Sequence, residues 1–263
     1  METELLTPDE AGLQKAAGLI REGQVVGMPT ETVYGLAADA TNRDAVAKVF
    51  AAKGRPMDNH LIVHISSMEE LEQAVSRVPE LVASLADAFW PGPLTMIMPK
   101  SERIPMETSG GLDTVGVRMP SHPVAQALIR TAGVPIAAPS ANRSGYPSPT
   151  TAQHVLADMQ GRIPAILDGG ACSCGLESTV VTFDDDRTVR ILRPGFVTKE
   201  MLLEHVPNVV IDPAIFRQVS ASEKVASPGM KYKHYAPNAA VTLVEGSPEL
   251  FRQFLALQQA DGV

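Results

Sequence analysis

Apolar positions along this chain follow two periods, and the change from one to the other marks its elements. A helical stripe over residues 9–22, with Thr7 at the cap, Pro8 in the first turn and Gly23 after it, predicts a helix. Residues 24–28 read as a buried strand. Asn42 can cap a second helix over residues 43–52, where Ala45, Val46, Val49 and Phe50 share one face. Gly54 sits where a C-terminal glycine ends such a helix, which places Lys53 and Arg55 on the turn beyond. Further strands are predicted over 61–65, 94–98, 114–119, 134–138, 165–168, 178–183 and 189–192. Helices are predicted over 67–76, 78–89, 123–132, 151–159 and 198–205.

Strands and helices mix irregularly, with several strands close in sequence near the end. This favours an α/β fold with an open, twisted sheet of mixed parallel and antiparallel strands flanked by helices. Residues 211–228 have no clean period and read as a linker, followed by a new strand at 241–244 and a helix at 247–259. One strand and one helix cannot bury their apolar faces alone. The expected organisation is a catalytic domain over 9–208, a linker and active-site lid over 209–237, and the beginning of a second small α/β domain over 238–263.

With 263 residues, the chain can bury one full core with an appendage. Apolar content of 44% and charged content of 20% exclude a disordered chain. A net charge of −8 and only 5% aromatic residues disfavour a broad nucleic-acid face, but leave room for a local cationic pocket. Cys172 and Cys174 cannot form a disulfide framework and lack zinc-type spacing. The first residues are acidic, without a secretory pattern, and no run of about 18 apolar residues exists, so a cytoplasmic protein without a membrane span is expected.

Three polar loops carry the candidate chemistry. They are Pro29-Thr30-Glu31-Thr32-Val33-Tyr34-Gly35-Leu36, Lys53-Gly54-Arg55-Pro56 and Pro139-Ser140-Ala141-Asn142. In α/β proteins such loops gather at the carboxyl edge of the sheet, and these hydroxyls, amide and cations suit a phosphorylated small molecule. Each has a plain alternative. Lys53 and Arg55 could be a solvated helix end, Thr30, Glu31 and Thr32 a turn, and Arg118 an exposed edge cation. Gly111-Leu112-Asp113-Thr114-Val115-Gly116 has Walker-loop glycines, but Val117 and Arg118 stand where the lysine and hydroxyl belong. His60 and His64 flank a β-type run and would lie about 13 Å apart on a strand, too far for one metal. No protein-held metal site is expected.

Together the segments resemble the threonylcarbamoyl-AMP synthase family, with its YrdC-like domain. The resemblance rests on the three loops above and on Trp90-Pro91-Gly92-Pro93-Leu94-Thr95, Val117-Arg118-Met119-Pro120, Glu177-Ser178-Thr179 and Leu192-Arg193-Pro194-Gly195. Residues 227–237 resemble the linker of the family's long form. The resemblance implies synthesis of threonylcarbamoyl-adenylate from L-threonine, bicarbonate and ATP, with magnesium, releasing pyrophosphate. Other proteins, a tRNA threonylcarbamoyl-transferase complex, then modify an adenosine beside the anticodon; a weak contact of this chain with tRNA is compatible with this. It also implies site residues. Thr32, His64, Arg118, the Ala138 backbone and Ser178 would hold threonine. Arg55, Asn59, Thr114, Ser140, Asn142, Ser148, Arg193 and Tyr235 would hold ATP, with Lys53 and Arg55 the catalytic cations. Arg118 can grip a carboxylate bidentately, and the displacement at phosphorus needs positioning and charge neutralisation rather than a nucleophilic side chain. His64 and His234 are both candidates for proton handling. Two other readings fit less well: a related carbamoyl-transfer enzyme, normally a longer chain, and a non-catalytic RNA-binding module.

Overall fold

The structure, a computed structural model, describes residues 2–54, 59–216 and 243–260. Its strands are β1 (Glu4–Leu6), β2 (Val26–Met28), β3 (Gly35–Asp39), β4 (Ile62–His64), β5 (Leu94–Pro99), β6 (Thr114–Arg118), β7 (Ile136–Ala137), β8 (Ala165–Leu167), β9 (Thr179–Phe183), β10 (Thr188–Arg193) and β11 (Asn208–Ile211). They form one sheet in the order β1-β8-β2-β3-β7-β4-β6-β5-β9-β10-β11. Four strand pairs at the centre decide its character. β2 runs antiparallel to β3, β3 to β7 and β7 to β4, whereas β4 and β6 are parallel. The sheet is therefore mixed, as the irregular element order implied.

The helices are α1 (Glu10–Arg21), α2 (Arg43–Lys53), α3 (Leu71–Ala74), α4 (Leu81–Phe89), α5 (Met106–Ser109), α6 (Pro123–Ala132), α7 (Ala152–Met159), α8 (Lys199–Leu203) and α9 (Pro248–Ala260). Period-two alternation sends side chains to opposite faces of the sheet. Leu36 and Ala38 join Val63, Val115 and Val117 in the large core, which is closed by apolar faces of α2, α3, α4, α7 and α8. Ala37, Val26, Met28 and Ala165 point the other way, onto Ala16, Ala17 and Ile20 of α1 and Leu128 and Ile129 of α6. On this second face α1 and α6 cover the β1 to β7 half. Beyond them that face carries the small cluster of Ile97 on β5, Val180 on β9 and Leu192 on β10. Between these clusters, over β4 and β6, lies a strip that α1 and α6 do not cover.

Several expectations are corrected by the structure. The cap of α1 is Asp9, which accepts from Gly12 N at 2.8 Å, while Thr7 donates to Asp9. Lys53 is the last residue of α2 rather than part of the turn; Gly54 follows in the left-handed conformation (φ 68°), which favours glycine. Helix α3 is one turn, because residues before it spend their polar groups locally: Ser66 N and Oγ both donate to Glu70. β1, β3, α5 and β11 were not expected. The lid segment 227–237, the first two residues of the strand at 241–244 and Arg55 lie outside the described residues, while residues 243 and 244 are not in a strand. Among the described residues no helix is long and apolar enough to cross a membrane.

Candidate active site

Ile62 and His64 lie two apart on β4 and face the strip that α1 and α6 leave open, with Val63 turned into the large core. Parallel pairing puts His64 beside Arg118 of β6. These side chains floor a cleft of about 700 Å³ including its open mouth. Thr30, Thr32 and Gly35 wall it on one side, Ala138, Pro139 and Ser140 on the next, and Ser178 and Arg193 opposite. The cleft thus lies across the sheet's face, not along its carboxyl edge as sequence reasoning expected. In the antiparallel pair β7–β4 the residues after β7 and those before β4 leave from the same end, and the cleft runs from there over the face to His64 and Arg118.

Arg118 is 3% exposed, so the edge-cation reading does not hold; β6 has a partner strand on each side. Its Nε donates to Gly92 O (3.1 Å) and Nη1 to Thr32 Oγ1 (2.8 Å), while Nη2 stands 2.6 Å from Glu31 Oε1. Burial pushes the Glu31 carboxyl upward, but Arg118 outweighs it and the net shift is downward. Burial and the nearby Arg118 charge hold His64 down at about 3, against a weaker opposing pull from Glu31. His64 is therefore neutral at physiological pH. Its Nδ1 lies 3.2 Å from Ile62 O, which fits the tautomer protonated there and leaves Nε2 as an acceptor.

Backbone shaping does the rest. Thr30 spends its hydroxyl on its own turn: Oγ1 donates to Val33 O at 2.6 Å and accepts from Val33 N at 3.3 Å. A register shift between Ile191 and Arg193 brings Arg193 opposite Val180, and its Nη2 donates to Ser178 O at 2.8 Å. Ser178 Oγ is 2.8 Å from the buried Thr95 hydroxyl. Gly195 lets this corner close, since a Cβ there would lie 2.4 Å from Glu177 O and Thr179 N. Ser148 donates to Glu177 Oε1 at 2.5 Å, and Glu177 is the carboxylate among the described lining residues.

Comparison with known proteins bears on this geometry. A family model described as "Telomere recombination" (Sua5, YciO, YrdC) matches residues 18–195. A second, "Threonylcarbamoyl-AMP synthase, C-terminal domain", matches residues 197–262. A Bacillus subtilis threonylcarbamoyl-AMP synthase is 49% identical over 261 residues, covering 99% of this chain and 74% of its own length. This chain belongs to the threonylcarbamoyl-AMP synthase family. A Pyrococcus abyssi member is 49% identical over 245 residues, covering 93% of this chain and 71% of its own. The crystal structure of P. abyssi Sua5 complexed with L-threonine superposes with a TM-score of 0.91 at 46% identity, covering 100% of this chain and 78% of that one.

Residues carried over from threonylcarbamoyl-AMP synthases fall into four groups. Thr32, His64, Arg118, Ala138, Ser178, Asn59, Ser140, Ser148 and Arg193 all line the cleft. Asn59 is 2% exposed, and neither its Oδ1 nor its Nδ2 has a hydrogen-bond partner among the described residues. Lys53 and Asn142 stand behind the wall: the buried Lys53 Nζ donates to Ser140 O and, at 2.8 Å, to Asn142 O, while Asn142 Nδ2 donates to Tyr146 O at 2.6 Å. Thr114 begins β6, at the opposite end from Arg118 and outside the described lining. Arg55 and Tyr235 lie outside the described residues, as does His234. Sequence reasoning gave no role to Glu31, Glu177 or His60, although His60 and Glu177 line the cleft. For Glu31 the available signal was a carboxylate set between two threonines in an otherwise apolar stretch.

Proposed function

We propose that this protein forms L-threonylcarbamoyl-adenylate from L-threonine, bicarbonate and ATP, releasing pyrophosphate. The product passes to a transferase complex that modifies the adenosine next to the anticodon of tRNA. One observation carries the reading: a buried guanidinium, Arg118, is anchored on three sides at the floor of a cleft shaped for a small polar ligand. Arginine at such a site suits a planar carboxylate better than lysine would.

In this reading threonine lies with its carboxylate on Arg118 and its other polar groups near Thr32, His64 and Ser178. The neutral amine attacks bicarbonate carbon, forming the carbamate C–N bond with loss of water. A carbamate oxygen then attacks the α-phosphorus of ATP while the bond to the pyrophosphate oxygen breaks. Both steps join anions, so the site's work is positioning and charge neutralisation. Arg193 on one wall, and Arg55 and Lys53 near the other, are proposed to neutralise the phosphates, with Lys53 also bracing the loop that carries Ser140. His64 Nε2 accepts a proton-bearing group of threonine and is too weak a base to stay protonated. Asn59, Ser140, Asn142, Ser148, Thr114 and Tyr235 are proposed nucleotide contacts.

Magnesium fits this chain as a partner of the nucleotide. Among the described residues no group of three or more His, Cys, Asp or Glu side chains could hold a metal by itself. The Ser148–Glu177 pair on the cleft wall would offer oxygens to a phosphate-bound magnesium, or accept hydrogen bonds from its waters. When bound, the ion supplies charge neutralisation at the phosphates. The described lining holds no Phe, Tyr or Trp ring for base stacking, which weighs against the RNA-binding alternative. The reading assigns the chain to the cytoplasm, where these substrates are plentiful.

The test incubates the full chain with carbon-14 bicarbonate, ATP, magnesium and each of several amino acids. Acid-stable label should appear in an adenylate with threonine, with serine a weaker substrate by roughly 10- to 200-fold for one lost methyl. A parallel reaction with carbon-14 carbamoyl phosphate in place of bicarbonate and amino acid should give no labelled adenylate; label there, and none from bicarbonate, would support the carbamoyl-transfer reading and overturn this one.

A further inference from the structure

The Glu31–Arg118 pair stands out among the described residues. Both side chains are 4% exposed, and the contact is 2.6 Å. Removing two charges from water costs several kcal/mol per ion, and apolar residues of similar volume often stabilise a fold as well or better. The core therefore does not explain why a carboxylate stands behind this guanidinium. Glu31 does not line the cleft, whereas Arg118 does.

Geometry gives the explanation. Arg118 has five N–H donors in one plane. Nε is taken by Gly92 O and one proton of Nη1 by Thr32. Nη2 stands 2.6 Å from Glu31 Oε1, which holds that edge of the plane. The second Nη1 proton and the other Nη2 proton are left for a ligand. Glu31 meanwhile places a full negative charge against the far side of the cation. An uncompensated arginine beside ATP would attract the triphosphate at least as strongly as a single carboxylate.

We propose that Glu31 is a positioning residue for Arg118: it fixes the guanidinium plane and offsets its charge, so that the remaining donors take a monoanionic amino-acid carboxylate and not a phosphate. This rests on the function proposed above and deepens it.

The test compares wild type, Glu31→Gln and Glu31→Asp in the labelled-bicarbonate assay, with inorganic pyrophosphate as inhibitor. Wild-type turnover that requires threonine and bicarbonate is the control for the function itself; its absence removes that reading before Glu31 is judged. Given active wild type, Glu31→Gln should raise KM for threonine about tenfold or more, the scale of a lost buried charge contact, with KM for ATP not raised. Pyrophosphate should become competitive with threonine in that variant. Glu31→Asp keeps the charge at shorter reach, so threonine KM should rise without the new pyrophosphate competition. If Glu31→Gln does not fold, the aspartate variant decides alone. An unchanged threonine KM in a folded variant overturns the proposal, as does an equal fall in every kinetic parameter. Pyrophosphate competition with threonine in wild type overturns it too.

Discussion

At the residue scale, the site is a set of polar groups whose ordinary behaviour is altered by burial. His64 is held at about 3 by desolvation and the nearby Arg118, and Glu31 is held down because Arg118 outweighs its own desolvation. Both shifts act in one direction on stability. An unfolded histidine binds a proton near pH 6.5, whereas folded His64 does not until about 3, so the unfolded state carries more protons between those values. Stability is therefore present above pH 6.5 and is lost as pH falls through that window, at up to about 1.4 kcal/mol per pH unit from this group. Glu31 adds to the loss below the ordinary glutamate range, as the pair is protonated apart. Melting temperatures measured from pH 7.5 to pH 4.5 should fall more steeply for wild type than for His64→Gln; parallel curves would contradict the buried, neutral assignment. Sequence alone disclosed the polarity of these residues but not their burial. Glu31, Thr32 and Lys53 look like turn and helix-end residues because local spacing holds no record of the strands that later enclose them. Thr30 is the instructive exception: its turn role was legible, since its partner Val33 is three residues away.

At the element scale, what could be read depended on whether the signal was local. Helix α2 was readable almost to the residue, because Asn42 caps it, four apolar residues share its face and Gly54 ends it. Strand β3 was invisible: Gly35, Leu36, Ala37 and Ala38 are buried on both faces and include no β-branched residue, so neither period shows. β1 was hidden because it is only three residues long and its partner β8 lies far along the chain. The corner between β9 and β10 is the element-level feature on which the cleft depends. Gly195 approaches the Glu177–Thr179 backbone so closely that an added methyl must displace it. Gly195→Ala should therefore cost about 1–3 kcal/mol of stability, in the range for overpacking, and should shift Ser178 and Arg193 together. Denaturant unfolding and threonine binding by calorimetry check this: both should weaken. An alanine variant with normal stability would mean the corner tolerates the extra atom.

At the scale of the whole molecule, the decisive feature is uneven cover on one face of a mixed sheet. Helices α1 and α6 seal one half, and the strip over β4 and β6 is left for side chains from seven separate segments of the chain to enclose. Mixed direction could be inferred from the element order, but the position of the cleft could not. It depends on which strands neighbour which, and β7 pairs with β3 about a hundred residues away and with β4 about seventy residues away, contacts with no local signature. The account's central claim is that this strip holds an amino acid on Arg118 beside a nucleotide. A crystal structure of the chain with L-threonine and a non-hydrolysable ATP analogue tests it most directly. The account predicts a threonine carboxylate oxygen about 2.7–2.9 Å from Arg118, with the phosphates toward Arg193 and the Ser140 loop. Either ligand bound elsewhere, or phosphate oxygens seated on Arg118 in place of the carboxylate, would contradict it.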